Sequence, residues 1–170
     1  DADMFVATYG TNDPNDLWFF ENTANITVAT PPYNVFNIQG IGAPTNRASS
    51  APTLGDINAD GLIDLFVGDK NGRVSYFKNT GTPTQPAFTE MQGADNPMNG
   101  VDVGTYSVPA LGRIDGDLLL DFFVGGADGK VHFYLNTGTL TAPIFEEMTE
   151  ADNPMNDVNV AGTNPGNAAP

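Results

Sequence analysis

The chain has 170 residues and carries 6 Lys and Arg against 21 Asp and Glu, a formal net charge of −15 at pH 7. So acidic a chain repels nucleic-acid phosphates and anionic lipid headgroups, and no apolar run approaches the roughly 20 residues of a membrane span. There is no cysteine and a single histidine, His132, which excludes disulfides, thiolate metal sites, cysteine nucleophiles and histidine clusters. We therefore expect no nucleic-acid binding and no membrane insertion. The side chains most available for ligand binding or catalysis are carboxylates. Carboxylates suit hard cations such as calcium.

An internal repeat organises the chain. Residues 50–106 align without a gap on residues 107–163 at an offset of 57, with 30 of the 57 positions identical. A fixed period of tens of residues is the signature of a repeat architecture. The sequence therefore predicts two closely similar structural units in tandem.

The first 49 residues contain a degenerate copy of the same unit. Residues 3–6 match 64–67, and residues 17–23 match 74–80, with a four-residue insertion between the two matches. We therefore divide the chain into three units. They are a degenerate first blade at 1–49, cut at its start, a second blade at 50–106 and a third blade at 107–170.

Each unit is predicted to consist of β-strands. The strands of the second unit are expected near 52–57, 62–68, 74–77 and 88–91, where β-formers lie between loops rich in Thr, Pro and Gly. Asn71-Gly72, like Asp128-Gly129 in the next unit, predicts a tight hairpin turn with positive φ at both central residues. Four short strands in about 57 residues is the size of one β-propeller blade. We expect an all-β fold of four-stranded antiparallel blades in about three tandem units.

Three segments of the second unit carry a family resemblance. They are Leu-Gly-Asp-Ile-Asn-Ala-Asp-Gly-Leu-Ile-Asp-Leu-Phe-Val-Gly at 54–68, Tyr-Phe-Lys-Asn-Thr-Gly at 76–81 and Pro-Ala-Phe at 86–88. Together they resemble the FG-GAP/VCBS-like β-propeller repeats, whose blades also occur in the heads of integrin α-chains. The resemblance covers nearly the whole chain and is strongest in the second and third units. It implies blades with calcium loops between strands.

Residues 56–64 form the candidate metal loop. Oxygen-bearing side chains stand at positions 1, 3, 5 and 9, a backbone carbonyl is available at position 7, and Gly61 at position 6 permits a sharp bend. Position 12 is Val67 rather than Glu, so the loop is not an EF-hand. The alternative is a solvated turn rich in Asp and Asn. We predict a Ca²⁺ site formed by Asp56, Asn58, Asp60, Asp64 and the carbonyl of Leu62.

The corresponding loop of the third unit is degenerate. Arg113 replaces the first ligand and Leu118 replaces the glycine, while three aspartates are kept: Asp115, Asp117 and Asp121. A guanidinium repels a cation and can itself neutralise carboxylates. We therefore expect Arg113 to form an ion cluster with these three aspartates and to leave the loop without metal.

Four further features have ordinary explanations. His132 follows a turn and is expected at the surface. Residues 94–99 recur identically at 151–156 and are interpreted as turns rather than as a ligand site. The aromatic residues 18–20 are expected to pack between blades rather than to stack on a sugar. Asn25-Ile26-Thr27 matches the N-glycosylation pattern, which has meaning for Asn25 only in a protein of the secretory pathway.

Three units are too few for a closed propeller, which typically has four to eight blades. Residues 169–170 align with 51–52, whereas Asp1 aligns with Leu62, so the missing piece corresponds to 53–61. We therefore expect the blades to pack on equivalent blades, either in the same longer chain or in neighbouring subunits.

No nucleophile and base stand out as a pair, so we predict that the chain is not an enzyme. The expected function is that of a non-catalytic, extracellular or cell-surface, calcium-binding repeat segment for adhesion, surface structure or the assembly of a matrix or filament. Its partners would be equivalent blades, with glycans or extracellular proteins as further candidates. The alternative is a glycan-binding module, either lectin-like or an accessory domain of a secreted carbohydrate-active enzyme.

Overall fold

The computed structural model describes residues 4–7, 17–22, 33–37, 51–83 and 85–159, with side chains from residue 51 onward. Within these ranges the chain is all-β, and its only helices are two single 3₁₀ turns, η1 at Gly93–Asp95 and η2 at Glu150–Asp152. In the same ranges, no helix has the length and apolar character needed to cross a membrane.

The described strands form three antiparallel sheets. The first sheet contains β1 (Met4–Ala7), β2 (Leu17–Asn22) and β3 (Tyr33–Asn37). The second sheet contains β4 (Ala51–Gly55), β5 (Asp64–Gly68), β6 (Val74–Asn79) and β7 (Phe88–Met91). The third sheet contains β8 (Val108–Gly112), β9 (Asp121–Gly125), β10 (Val131–Asn136) and β11 (Phe145–Met148). Neighbouring strands follow one another in the chain, and none of these sheets closes on itself within the described residues.

The prediction of an all-β chain with four-stranded antiparallel sheets is thus confirmed for the second and third sheets. Each strand of the third sheet lies 57 residues after its counterpart in the second. Strand β5 begins at Asp64 instead of Leu62, because the preceding loop continues to Ile63 and satisfies its own backbone amides. The pairing of Met4 with Phe20 in the first sheet has the same register as the pairing of Leu65 with Phe77.

The hairpin turn at Asn71-Gly72 differs from the expectation. Gly72 has a positive φ of 79°, but Asn71 does not. The reason is the length of the connection: the Asp69 N–H donates to the Arg73 carbonyl at 3.1 Å and the Gly72 N–H to the Asp69 carbonyl at 3.2 Å. A five-residue loop of this kind needs only one residue in the left-handed region.

The core lies between the second and third sheets. Side chains alternate along a strand, so each sheet has two faces; in the second and third sheets both faces are apolar. We call one the front face, which includes Phe66, Val74 and Tyr76 in the second sheet and their counterparts Phe123, Val131 and Phe133 in the third. We call the other the back face, which includes Leu65, Val67 and Phe77 in the second sheet and Phe122, Val124 and Tyr134 in the third.

The front face of the second sheet packs on the back face of the third. The rings of Phe66 and Phe122 meet edge to face, with their centroids 4.7 Å apart, and Phe66 stacks on Tyr76 within its own sheet at 4.7 Å. Edge-to-face and stacked aromatic pairs of this kind add about 0.5–1.5 kcal/mol to the gain from apolar burial. Successive repeats are therefore joined face to face, with unlike faces in contact.

Candidate metal loop and its counterpart in the third unit

The loop between β4 and β5 is a tight turn held by its own side chains. The Asp56 carboxylate accepts hydrogen bonds from the N–H groups of Asp60 at 3.2 Å and Gly61 at 3.0 Å. The Asp60 N–H also donates to Asn58 Oδ1, and the Leu62 N–H donates to Asp60 Oδ1, both at 3.0 Å. Gly61 adopts a φ of 82°, as the predicted bend requires. The spacing therefore brings Asp56, Asn58 and Asp60 into one turn.

Asp64 lies at the inner end of this loop and is fully buried. Its Oδ1 accepts from the Asn79 N–H at 2.8 Å, and its Oδ2 accepts from the Tyr76 hydroxyl and the Asn58 amide, each at 2.9 Å. Burial raises the pKa of Asp64 above its ordinary value, and the hydrogen bonds from Asn79 and Tyr76 partly offset that rise. Burial also raises the pKa of the Tyr76 hydroxyl. Asp64 thus ties the loop to strand β6.

The loop contains the oxygen donors that a hard cation prefers, but their present arrangement does not form a metal site. In the described ranges, no group of three or more His, Cys, Asp or Glu side chains is placed to hold a metal ion. Asn58 turns its amide nitrogen toward Asp64, and Asp60 forms an ion pair with Lys78 at 3.3 Å. Metal binding would require Asn58 to present its oxygen and Lys78 to release Asp60.

The loop of the third unit does not contain the expected ion cluster. Nε of Arg113 donates to the Leu118 carbonyl at 3.1 Å, and no ion pair joins Arg113 to Asp115, Asp117 or Asp121, all of which the structure describes. The reason is competition from backbone amides. The Asp117 N–H donates to Asp115 Oδ1 at 3.1 Å, and the Leu119 N–H donates to Asp117 Oδ1 at 2.7 Å. Since Arg113 is exposed, a pair with these aspartates would gain little over hydration.

Asp121 is buried like Asp64 and has the equivalent donor at Oδ1 but a different donor at Oδ2. Its Oδ1 accepts from the Asn136 N–H at 3.0 Å and its Oδ2 from the Ile114 N–H at 3.1 Å. Burial raises the pKa of Asp121, and both backbone hydrogen bonds lower it in part. The carboxylate is therefore a structural link between loop and strand in both units.

Sequence reasoning missed two asparagines that hold the ends of these loops. Asn79 Oδ1 accepts from the N–H groups of Gly81 and Ala87, while its Nδ2 donates to the Ile63 carbonyl at 3.2 Å. Asn136 makes the same three bonds in the third unit, to Gly138, Ile144 and Leu120. The sequence does indicate a shared role, because each asparagine is the first residue of the identical segment Asn-Thr-Gly-Thr.

His132 lies between two carboxylates on the surface of the third sheet. Its Nδ1 is 2.9 Å from Glu147 Oε1, and its Nε2 is 4.0 Å from Asp128 Oδ2. The side chain is partly exposed, as expected for a surface position. Two acidic side chains therefore flank the ring.

The repeated segment at 94–99 begins within η1 and continues as a turn. Asn96 Oδ1 accepts from the Met98 N–H at 2.9 Å, and Asn96 Nδ2 donates to the Val74 carbonyl at 3.2 Å. Asn153 makes the same two contacts in the third unit. These bonds account for the repetition without a ligand.

Asn25 lies outside the described residues, and residues 18–20 are described only as part of β2.

A cleft of about 290 Å³ lies between the two loops. Asp56 and Arg113 contribute its charged groups, and its walls are mostly aliphatic, with Ile57, Ile63, Leu118, Leu119, Leu120 and Leu140. The cleft can therefore take an apolar group between the second and third units.

Comparison with known proteins gives no match: no family model fits the chain, and no curated protein and no solved structure is significantly similar to it.

Proposed function

We propose that this chain is a non-catalytic, calcium-binding β-propeller repeat segment that serves adhesion, surface structure or the assembly of a matrix or filament outside the cell. One observation carries the proposal. Two consecutive units fold into four-stranded sheets of identical register that stack front to back. Such stacking builds an extended scaffold in which each unit contacts only its neighbours.

The calcium part of the proposal rests on the loop before β5. Asp56, Asn58 and Asp60 supply oxygen atoms from a single turn, and the Leu62 carbonyl and Asp64 complete the proposed set. Oxygen donors with clustered negative charge are what Ca²⁺ prefers. A cation would offset the repulsion between these carboxylates in a chain with a net charge of −15.

Thermal unfolding with and without calcium tests the site. Calcium that binds only the folded loop stabilises it by mass action, by about 2.7 kcal/mol at a hundredfold excess over Kd. Addition of a chelator should therefore lower the Tm by several degrees. Asp60→Ala should abolish the difference between calcium and chelator, because it removes the central ligand.

The third unit offers a matched control. Asp117 occupies the position of Asp60 in the loop that carries Arg113, so Asp117→Ala should leave the calcium-dependent difference in Tm intact. Superimposable melting curves of the parent protein in calcium and in chelator would contradict calcium binding.

The proposal that the chain is non-catalytic rests on the hydrogen bonding and burial of Asp64 and Asp121. Asp64 and Asp121 accept hydrogen bonds from backbone amides and lie inside the sheets, which suits structural links better than acid–base groups. The aliphatic walls of the cleft favour a structural role over a glycan module, because sugars are bound by polar groups and aromatic platforms. Saturable binding on a glycan array would favour the glycan module instead.

A further inference from the structure

The cleft between the two loops is lined by aliphatic side chains that the packing of the sheets leaves open. Leu118 is 70% exposed, Ile63 is 50% exposed and Leu140 is 48% exposed, and all three line the cleft. Single exposed aliphatic residues are ordinary in proteins, but several of them around one concavity mark an interaction site. The cleft therefore keeps an open apolar surface after the second and third sheets have packed together.

Two of these residues distinguish the third unit from the second. Leu118 stands where the second unit has Gly61, and Leu140 stands where it has Pro83. Neither leucine belongs to, or packs against, a buried apolar cluster of the described residues. The core of the blade therefore does not explain them, and their shared location is the wall of the cleft.

Arg113 adds a positive charge beside these aliphatic walls. Its Nε donates to the Leu118 carbonyl at 3.1 Å, which holds the guanidinium at the cleft. Its Nη1 and Nη2 groups form no hydrogen bond or ion pair with any residue that the structure describes. A guanidinium presents paired N–H donors that match the two oxygens of a carboxylate. Arg113 is therefore placed to bind an anionic group next to an apolar surface.

The acidic residues around the cleft leave this guanidinium available. The two oxygens of Asp56 accept hydrogen bonds from the N–H groups of Asp60 at 3.2 Å and Gly61 at 3.0 Å, so this carboxylate is directed toward its own loop. Asp115 and Asp117 likewise accept from backbone amides of their loop. Exposed charges farther away than about 8–10 Å are largely screened at physiological ionic strength. The net charge of −15 therefore does not prevent an anion from binding at Arg113.

We propose that the cleft binds a small aliphatic monocarboxylate, with the carboxylate on Arg113 and the hydrocarbon chain against Ile63, Leu118 and Leu140. The volume of about 290 Å³ is close to the lower end of the range of small-molecule sites, which typically have mostly apolar walls and few polar groups. The side-chain amide of Asn136, which also lines the cleft, already bonds three backbone groups, so the walls favour a hydrocarbon chain over a sugar. This binding site goes beyond the proposed scaffold function.

Titration of the full chain with hexanoate, followed by proton–carbon NMR of the methyl groups, tests the proposal. The methyl resonances of Ile63, Leu118 and Leu140 should shift and saturate, with a Kd on the order of 1 mM or lower for a ligand of this size. Hexylamine has a hydrocarbon chain of the same length but a cationic head, so it should cause no saturable shift. The titrations are made in chelator, so their outcome does not depend on the proposed calcium site.

Variants of exposed residues assign the two parts of the site. Arg113→Gln should weaken hexanoate binding by about tenfold, because it removes a charge-assisted bond to the carboxylate. Leu118→Ala should weaken binding by about threefold or more, because it removes apolar contact with the chain. Ile144→Ala is the matched control: Ile144 is 58% exposed but does not line the cleft, so this variant should bind as the parent does.

Four results would overturn the proposal. They are methyl shifts that do not saturate in the parent protein, equal affinity for hexylamine and hexanoate, parental affinity in Arg113→Gln or Leu118→Ala, and a loss in Ile144→Ala as large as that in Leu118→Ala. Circular dichroism of each variant confirms its fold. Loss of calcium binding changes the melting curves, whereas loss of this site changes the hexanoate titration in chelator, so the two proposals fail separately.

Discussion

The hydroxyl of Tyr76 donates a hydrogen bond to Asp64 Oδ2 at 2.9 Å inside the second sheet. In the third sheet Phe133 stands in place of Tyr76, and the Ile114 N–H donates to Asp121 Oδ2 at 3.1 Å instead. Both units thus keep a buried carboxylate, with equivalent donors to Oδ1 and different donors to Oδ2. An unsatisfied carboxylate would be costly at either position.

Tyr76→Phe should destabilise the protein by about 1–2 kcal/mol, because it leaves a buried acceptor with one donor fewer. Tyr134→Phe is a matched control: Tyr134 is also buried, and the described residues show no hydrogen bond from its hydroxyl. Urea unfolding of both variants measures the difference. Equal losses of stability would argue against the role of the bond to Asp64.

Asn136→Ala should cost about 2–4 kcal/mol in free energy of unfolding, since it removes one donor and one acceptor that serve three backbone groups. Asn99→Ala, at an exposed position without a described side-chain bond, should change stability by less than about 0.5 kcal/mol. Chemical denaturation of the two variants compares them directly. A cost for Asn136→Ala no larger than the control's would show that the loop end is held by other contacts.

Gly68→Ala should destabilise the fold by about 3 kcal/mol or more. A Cβ there would overlap the Ser107 carbonyl oxygen, and this backbone atom cannot move without shifting the third sheet. Gly112→Ala meets no atom closer than 3.6 Å and should be nearly neutral in the monomer. Differential scanning calorimetry at low protein concentration measures the Tm of both variants. Equal Tm values for Gly68→Ala and Gly112→Ala would contradict the close contact at Gly68.

The buried Asp121 should make stability fall as the pH rises. Burial raises the pKa of Asp121 above its ordinary value of 3.8, so the folded state binds the proton more tightly than the unfolded state does. The contribution is fully present below pH 3.8 and is lost as the pH rises through the folded-state pKa. A carbon-13 titration of the Asp121 carboxyl group should have its midpoint above 3.8. A midpoint at or below that value would contradict the effect of burial.

The repeat and the strands could be read from the sequence, because both depend on local features. The apolar residues and the glycine-containing turns of the second and third units give the same four strands in each, so strands that are 57 residues apart in the sequence are equivalent in the structure. The loop at 56–64 also folds locally, since side-chain oxygens of Asp56, Asn58 and Asp60 each accept a hydrogen bond from a backbone amide of the same turn.

The tertiary structure decided which partner each side chain meets. Ile57 and Ile114 have equivalent positions in the repeat, yet Ile57 is buried in the core cluster shared with the third sheet and Ile114 is 48% exposed. Arg113 has three aspartates close to it in sequence, yet backbone amides occupy the Asp115 and Asp117 oxygens and Asp121 is drawn into the sheet. Strand formation is determined within a few residues, whereas burial and ion pairing depend on groups that only folding brings together.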